Sequence, residues 1–332
     1  MHSDIHAKDP RCQKSFSIVI PAYNEEDSIG QCLASICSVN FPMQAFEVIV
    51  VDNGSTDRTL EMAASFADRL NLKILQKRDC HISAVRNFGA ARAEGTYLAF
   101  LDADMLVGQD WLARAVSHLS KDTAGIIGGT HRIPENSTWV VRAWFQERLA
   151  ERQGHVSYVS SGNLLMSRAN FILLGGFDEG IETNEDCDLC YRAQAAGLPV
   201  LSLPEISAVH LGFPSTLLEF FRKEQWHGKS VFSVFLRNVR ALQNVRAVSF
   251  GGYYLLCIAA VLLGLAIAAF SRNFITLSLA LLAAIFPPLV LSAVVSIRRR
   301  RLALWLQLTV LYLMYGVARG VCLLDVRTWV RQ

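Results

Sequence analysis

The chain has 332 residues, of which 52% are hydrophobic and only 18% charged, with a net charge of +3. A length of this order admits two domains, or one domain with an appendage, while the mean hydropathy of +0.29 stands above that of an ordinary soluble protein. The small positive balance argues against a nucleic-acid binder and fits a basic collar beside a membrane.

Residues 1–14 read as a tail with no apolar signal core, so nothing in it is expected to direct the following domain outward. From residue 15 short apolar runs alternate with longer amphipathic ones, the pattern of an α/β domain with a largely parallel sheet. "FSIVIP" (16–21) is a first buried strand closed by Pro21, and residues 25–39 carry helical spacing through Ile29, Leu33, Ile36 and Cys37. "FEVIVVD" (46–52) is a second strand, followed by a helix expected over 55–70 with Ser55 or Thr56 as its N-cap. "LKILQ" (72–76) makes a third strand, 82–95 a helix that Gly95 stops, and "TYLAFLD" (96–102) a fourth strand. "AGIIGGT" (124–130), a Trp-containing helical segment near 138–152 and "SGNLLMSRANF" (161–171) come next. A loop then enters a helix with Thr183 or Asn184 as cap and Gly197 at its end, and residues 213–232 are amphipathic and aromatic.

The globular part is taken as 15–235 and a basic connector as 236–249. Beyond Arg246 the only acidic residue is Asp325. Three apolar runs, 250–270, 274–297 and 302–324, each approach the ~20 residues a helix needs to cross a bilayer, and 325–332 form a short tail. Pro287 and Pro288 are expected to kink the second run. Arg319 interrupts the third and must snorkel or pair there. Arg237, Arg240 and Arg246 before the first run and Arg298–Arg301 after the second place both sites, and with them the globular domain, on the cytoplasmic side of the cell membrane. The eight cysteines are read as free thiols, Cys187 and Cys190 included, because no second pair stands at zinc-finger spacing.

Two carboxylates, Asp102 and Asp104, end the fourth strand, and Asp52 ends the second. Open α/β sheets place ligands beyond these carboxyl ends, so three aspartates should line one rim. An Asp-x-Asp is weak evidence by itself: 15 aspartates yield on the order of one such pair by chance, and Asp186/Asp188 is a second. The residues alone leave Asp104 open between a metal ligand and a solvated loop position.

In this order, "SIVIPAYNEEDSI", "VIVVDNGSTDRT", "AVRNFGAARAEGTYLAFLDADM", "SGNLLMSR", "GGFDE" and "NEDCDLCYRAQAAG" resemble the family-2 glycosyltransferases of the GT-A fold, over Ser15 to about His210. The resemblance implies a Rossmann-like sheet and an inverting transfer of a sugar from a nucleotide-sugar to an acceptor hydroxyl, with Mn²⁺ or Mg²⁺. It places Ala22, Tyr23 and Glu25 around the nucleotide, Asp52 on the base, Arg86 on base or phosphate, Asp102 on the ribose and Asp104 on the metal. Asn53 stands where many relatives have a second Asp. Asp186 matches the catalytic base, with Glu185 beside it, and His210 falls where some relatives supply a further metal ligand, the alternative being a buried structural histidine.

The Gln-x-x-Arg-Trp signature of processive relatives is missing from "EQWHGK", which implies a non-processive enzyme. The expected donor is a UDP-, dTDP- or GDP-sugar and the expected acceptor a lipid-linked saccharide in surface or exported polysaccharide assembly. A polyprenyl-phosphate sugar synthase ranks second, since Met105 and the absence of proline after the Asp-x-Asp depart from that pattern. An inactive membrane scaffold ranks third.

Overall fold

The computed structural model describes residues 15–120, 125–148, 153–228 and 242–324. Cys12, residues 236–241 of the basic connector with Arg237 and Arg240, and both tails lie outside the described residues.

Four strands, β1 (Phe16–Ala22), β2 (Phe46–Asp52), β3 (Leu72–Gln76) and β4 (Tyr97–Leu101), run parallel in the order β3-β2-β1-β4. β1 and β2 are buried along their whole lengths, which is why they read as unbroken apolar runs instead of alternating ones. Helix α1 (Ile29–Cys37) buries Ile29, Cys32, Leu33 and Ile36, a single stripe at helical spacing, against Phe16, Ile18 and Ile20 on one face of the sheet. Val85 and Ala90 of α3 (Ile82–Ala90) pack on Val19, Ile49 and Val51 on the other face. That packing is close: a Cβ at Gly89 would lie 2.5 Å from Val19 Cγ1.

Past β4 the sheet ceases to be parallel. β8 (Asn163–Ser167) pairs antiparallel with β4, and β6 (Ile126–Arg132) antiparallel with β8. β9 (Val200–His210) then runs parallel to β6, and both β5 (Met105–Val107) and β7 (Gly154–His155) pair antiparallel with β9. The expectation of a largely parallel sheet therefore holds for the first four strands and again for the β6/β9 pair, while the other pairings make the sheet mixed. Parallel neighbours need a crossover of a dozen or more residues, usually a helix, and strand no longer alternates regularly with helix after residue 101.

Two local expectations are also corrected. Helix α2 covers only Thr59–Ala64, and neither Ser55 nor Thr56 caps it. Asp57 Oδ1 accepts from the Thr59 N–H, while the Ser55 hydroxyl and the Thr56 N–H are spent on Asn24. Gly95 does not stop α3, which ends at Ala90. Glycine stands there because the backbones of Phe16 and Ser17 lie 2.5 Å from where its Cβ would be.

The remaining helices are α4 (Trp111–Leu119), α5 (Trp139–Arg148), α6 (Arg168–Leu173), α7 (Glu185–Ala195), α8 (Leu217–Gly228), α9 (Leu242–Ser271), α10 (Ile275–Arg298) and α11 (Leu304–Cys322). Contacts divide the chain into two compact units. One holds the sheet: residues up to Pro134, Glu151–Glu179 and Glu185–Gly212. The other holds the described residues of 135–148, Gly180–Asn184 and those from Phe213 on.

In the second unit three helices are long and apolar enough to cross a membrane: Val248–Ser271, Ile275–Arg298 and Leu304–Cys322, with mean hydropathies of 2.4, 2.3 and 1.2. α10 continues through both prolines. Each proline lacks the N–H that would satisfy a carbonyl four residues back, and two tyrosines supply the missing donors: Tyr253 Oη donates to Ala283 O at 2.6 Å and Tyr254 Oη to Ala284 O at 3.0 Å. Arg319 pairs rather than snorkels, its guanidinium 2.7 Å from Glu224 of α8. Phe220 is fully buried, its ring 4.8 Å from that of Trp144 in α5, whereas Trp226 is exposed.

Candidate active site

Because β1, β2 and β4 are parallel, the loops after them open on one side of the sheet. Two of these loops are laced together. Asn24, forced into a left-handed conformation (φ 54°), receives the Thr56 N–H on its side-chain oxygen, and its own N–H reaches Ser55 Oγ. The Glu25 N–H donates to Thr59 Oγ1 at 2.7 Å and the Glu26 N–H to Asp57. This lacing holds Ala22 buried, Tyr23 exposed and Glu25 half-buried at the rim. Burial pushes the Glu25 carboxyl up, opposed by a hydroxyl bond from Ser28 and reinforced by the charges of Asp104 and Asp102.

Asp52 is fully buried, and its two oxygens accept from the N–H groups of Gly54 and Ser55. It shapes the loop on which a base would rest. Asn53 does the same at its neighbour, donating from Nδ2 to Cys80 O at 3.0 Å.

At the end of β4 the chain makes a tight turn, with the Met105 N–H donating to Asp102 O at 3.1 Å, and Ala103 points inward. Asp102 and Asp104 are thereby left on the rim. Strand register then brings in the histidine: Met105 of β5 is opposite His210 of β9, so the imidazole meets the preceding Asp104, with Nε2 2.9 Å from Oδ2. The His131 ring packs edge-on against that of His210, centroids 5.5 Å apart. Glycine is required at 212, where a Cβ would come within 1.9 Å of Asp104 Oδ2.

The donor set of Asp104 and His210 fits a divalent cation. One carboxylate oxygen and one imidazole nitrogen stand at the separation of neighbouring ligands around an ion with bonds of about 2.1 Å, which is about 3 Å. Among the described residues no group of three or more Asp, Glu, His or Cys is placed to hold a metal.

The second half of the site is built on Arg86. Its side chain is buried, with Nη2 2.6 Å from Asp102 Oδ1 and Nη1 2.7 Å from Glu185 Oε1. Sequence reasoning put this arginine on a base or phosphate; the structure places it between two carboxylates. Glu185 Oε1 also accepts from Ser161 Oγ at 3.0 Å. Asp186 accepts from the Cys187 N–H at 2.7 Å and from the Ser161 N–H at 3.3 Å. Burial pushes the Asp186 carboxyl up to about 7, with the charge of Glu185 the next cause. Asp188, the other half of that acidic pair, is neutralised by Arg192 at 2.7 Å.

Thus Asp102, Asp104, Glu185, Asp186, Arg86, His210 and Glu25 gather at one end of the sheet, while Asp52 lies buried beneath its loop. Ser161 and Gly162 received no role from the sequence, although "SGN" was among the quoted segments. The signal was a serine and a glycine between two acidic motifs, and only the fold shows that Gly162 carries no Cβ because one would lie 2.6 Å from Asp102 Oδ2. The Cys187 and Cys190 thiols are buried, which raises both, that of Cys190 to about 12. Both remain protonated and serve packing.

The profile of glycosyl transferase family 2 matches residues 17–174, and that of glycosyl transferase family group 2 matches 97–318. Glycosyltransferase AglE of Haloferax volcanii is 30% identical over 239 residues, 70% of this chain and 78% of that protein. Validoxylamine A glucosyltransferase of Streptomyces hygroscopicus subsp. jinggangensis is 30% identical over 220 residues, and the match spans about half of it, 52%. Among solved structures, mannosyltransferase PcManGT from Pyrobaculum calidifontis in complex with GDP-Man and Mn²⁺ superimposes with a TM-score of 0.62 at 20% identity, covering 94% of this chain and 88% of that one. S. aureus TarS in complex with UDP-GlcNAc gives 0.52 at 20% identity, over 64% of this chain and 70% of that one.

Proposed function

The chain belongs to glycosyl transferase family 2, shares the GT-A fold of its solved relatives and is a glycosyltransferase; from there we propose that it is an inverting, non-processive enzyme that moves a sugar from a nucleotide-sugar to a hydroxyl of a lipid-linked saccharide at the cytoplasmic face of a membrane. The observation that carries this reading is the gathering of carboxylates at the rim: Asp102 and Glu185 divide Arg86 between them, Asp104 meets His210, and Asp186 lies buried beside Glu185. Such an excess suits a site that receives a cation and a proton.

The roles follow from position. Asp102 faces the ribose of the donor, with Tyr23 and Glu25 on the neighbouring loop and Asp52 fixing the loop beneath the base. Asp104 and His210 would hold a divalent cation, Mn²⁺ or Mg²⁺, which would supply positive charge to offset that building on the diphosphate. Asp186 takes the proton of the acceptor hydroxyl as its oxygen bonds to the anomeric carbon. The bond from that carbon to the diphosphate breaks on the opposite side, its electron pair leaving with the nucleotide, and the configuration inverts.

The three apolar helices, and a basic cluster that falls after the second of them, support membrane anchoring with the catalytic unit in the cytoplasm. The donor is tested with a panel of UDP-, dTDP- and GDP-sugars plus Mn²⁺, read by thermal shift and then by hydrolysis of the best binder. Stabilisation by one nucleotide class, abolished by EDTA, is expected; no stabilisation by any would sink the reading. Orientation is tested by Arg240→Cys in a chain otherwise free of cysteine, which should resist an impermeant thiol reagent in intact cells.

A further inference from the structure

The proposed reaction asks for one base, yet two buried carboxylates, Glu185 and Asp186, stand side by side at the start of α7. Their surroundings differ. Glu185 is clamped through one oxygen: Arg86 Nη1 at 2.7 Å and Ser161 Oγ at 3.0 Å both meet Oε1, and only 8% of the side chain is exposed. An oxygen engaged in this way by a guanidinium and a hydroxyl is not offered to a substrate proton. Asp186 has only two backbone N–H groups, from Cys187 and Ser161, and no cation in direct contact among the described partners.

We propose that Glu185 is a positioning residue: clamped by Arg86 and Ser161, it does not itself take the substrate proton but fixes the start of α7 and sets a carboxylate beside Asp186, which does. This deepens the reading of Asp186 as base and rests on it. The clamp is shared with the donor side of the site. Arg86 divides its guanidinium between Glu185 and Asp102, and the segment that carries Ser161 continues into Gly162, whose carbonyl accepts from the Asp102 N–H at 3.2 Å. Ser161 touches both acids of α7, the hydroxyl on Glu185 and the N–H on Asp186. One arginine and one serine thus tie the aspartate proposed to face the ribose to the aspartate proposed to take the proton.

Among the described residues, the charged and titratable groups facing Asp186 are Glu185, Cys187 and Cys190 on α7 and Arg86 on α3. Burial and the Glu185 anion raise the Asp186 carboxyl, and Arg86 opposes them. With Cys187 and Cys190 protonated, Glu185 is the negative group among these that substitution can remove.

The test is the pH dependence of Mn²⁺-supported hydrolysis of UDP-GlcNAc or GDP-mannose, whichever turns over faster, by the full chain in detergent. Glu185→Gln keeps the acceptor oxygen for Arg86 and Ser161 and removes only the charge. Its acidic limb in kcat should move down by about one pH unit, a tenfold change in proton affinity, with the plateau reduced and KM for the donor unchanged. Glu185→Asp, which keeps the charge, should leave the limb near its parental position. An unmoved limb in Glu185→Gln would overturn the proposal, as would a loss of turnover as complete as that of Asp186→Asn, since Glu185 would then be the base. Parental turnover by Asp186→Asn would instead overturn the base assignment itself, so the two failures are told apart.

Discussion

At the edge of the sheet where β1, β2 and β3 begin, Glu47 is fully buried and fully served. Lys73 Nζ lies 2.8 Å away, Ser17 Oγ donates at 2.7 Å and the Glu94 N–H at 2.8 Å. At the opposite edge Asp102, Asp104, Glu185 and Asp186 share Arg86 and His210, with Glu25 adding a fifth carboxyl to the rim. The same chemical group, buried in the same sheet, is neutralised at one end and left in surplus at the other. The balanced end is built for stability. At the crowded end neighbouring acids help to raise the Glu25 and Asp186 carboxyls, which sets it apart from the balanced end more firmly than either Asp-x-Asp in the sequence does.

The largest expected break in this contrast is Asp186→Asn. General-base catalysis contributes roughly 10²–10⁴-fold, so kcat for transfer should fall by that order while nucleotide binding, read by thermal shift with UDP and GDP, stays near parental. Stability should change in the other direction. The folded carboxyl titrates above its ordinary value, so ionising it opposes folding as pH rises through about 7. At pH 8 the amide variant should melt higher than the parent, and the gain should vanish below about pH 4, where the parent is protonated in both states. A variant both inactive and less stable at pH 8 would contradict the surplus.

Asp104→Asn comes next. Groups one layer outside a metal are already worth about 10–100-fold in its affinity, so losing a direct ligand should cost at least that in Mn²⁺-dependent donor binding. Titration of donor with and without EDTA should give the same weak affinity for the variant. A smaller effect is expected from Gly162→Ala, whose new methyl would lie 2.6 Å from Asp102 Oδ2. Displacing that carboxylate by a fraction of an ångström should lower kcat/KM by about tenfold, within the range known for misplaced reacting groups, and leave Mn²⁺ affinity intact.

Much of this was legible in the sequence, because strand ends in a parallel sheet converge and an acid that closes a buried run has nowhere else to point. Asp102 and Asp104 could be placed on that rule, and the three apolar helices follow from composition alone. The pairings that decide the chemistry could not be read. Arg86 and Glu185 are 99 residues apart, and Arg319 and Glu224 are 95 apart; nothing local states that either arginine will be clamped. Asp186 reads locally as a helix-start aspartate facing solvent, and only burial behind Ser161 changes its acidity. The antiparallel half of the sheet escaped for a related reason: β5 is three residues long and is paired by its register with His210, not by any pattern of its own. The tyrosine pair that serves Pro287 and Pro288 was hidden in the same way, 30 residues from the carbonyls it satisfies.

The smallest expected effect on activity, and the sharpest test of the contrast, is Glu47→Gln. The amide keeps the shape and can still accept from Ser17 and Glu94, but it loses the charge that faces Lys73. Leaving a buried polar network one partner short costs about 1–3 kcal/mol, so the melting temperature should drop at neutral pH while kcat and its pH profile stay within twofold of parental. Alkaline pH supplies a control with a definite sign. Glu47 and Glu94 raise the Lys73 pKa, so its contribution is complete below the ordinary value of 10.5 and is lost as pH rises through the higher folded value. The parent should therefore lose stability above about pH 10.5 more steeply than Glu47→Gln, and the two melting curves should approach each other there. If Glu47→Gln stabilised the fold as Asp186→Asn is expected to, the two ends of the sheet would be electrostatically alike, and the surplus at the rim could no longer be read as the mark of the site.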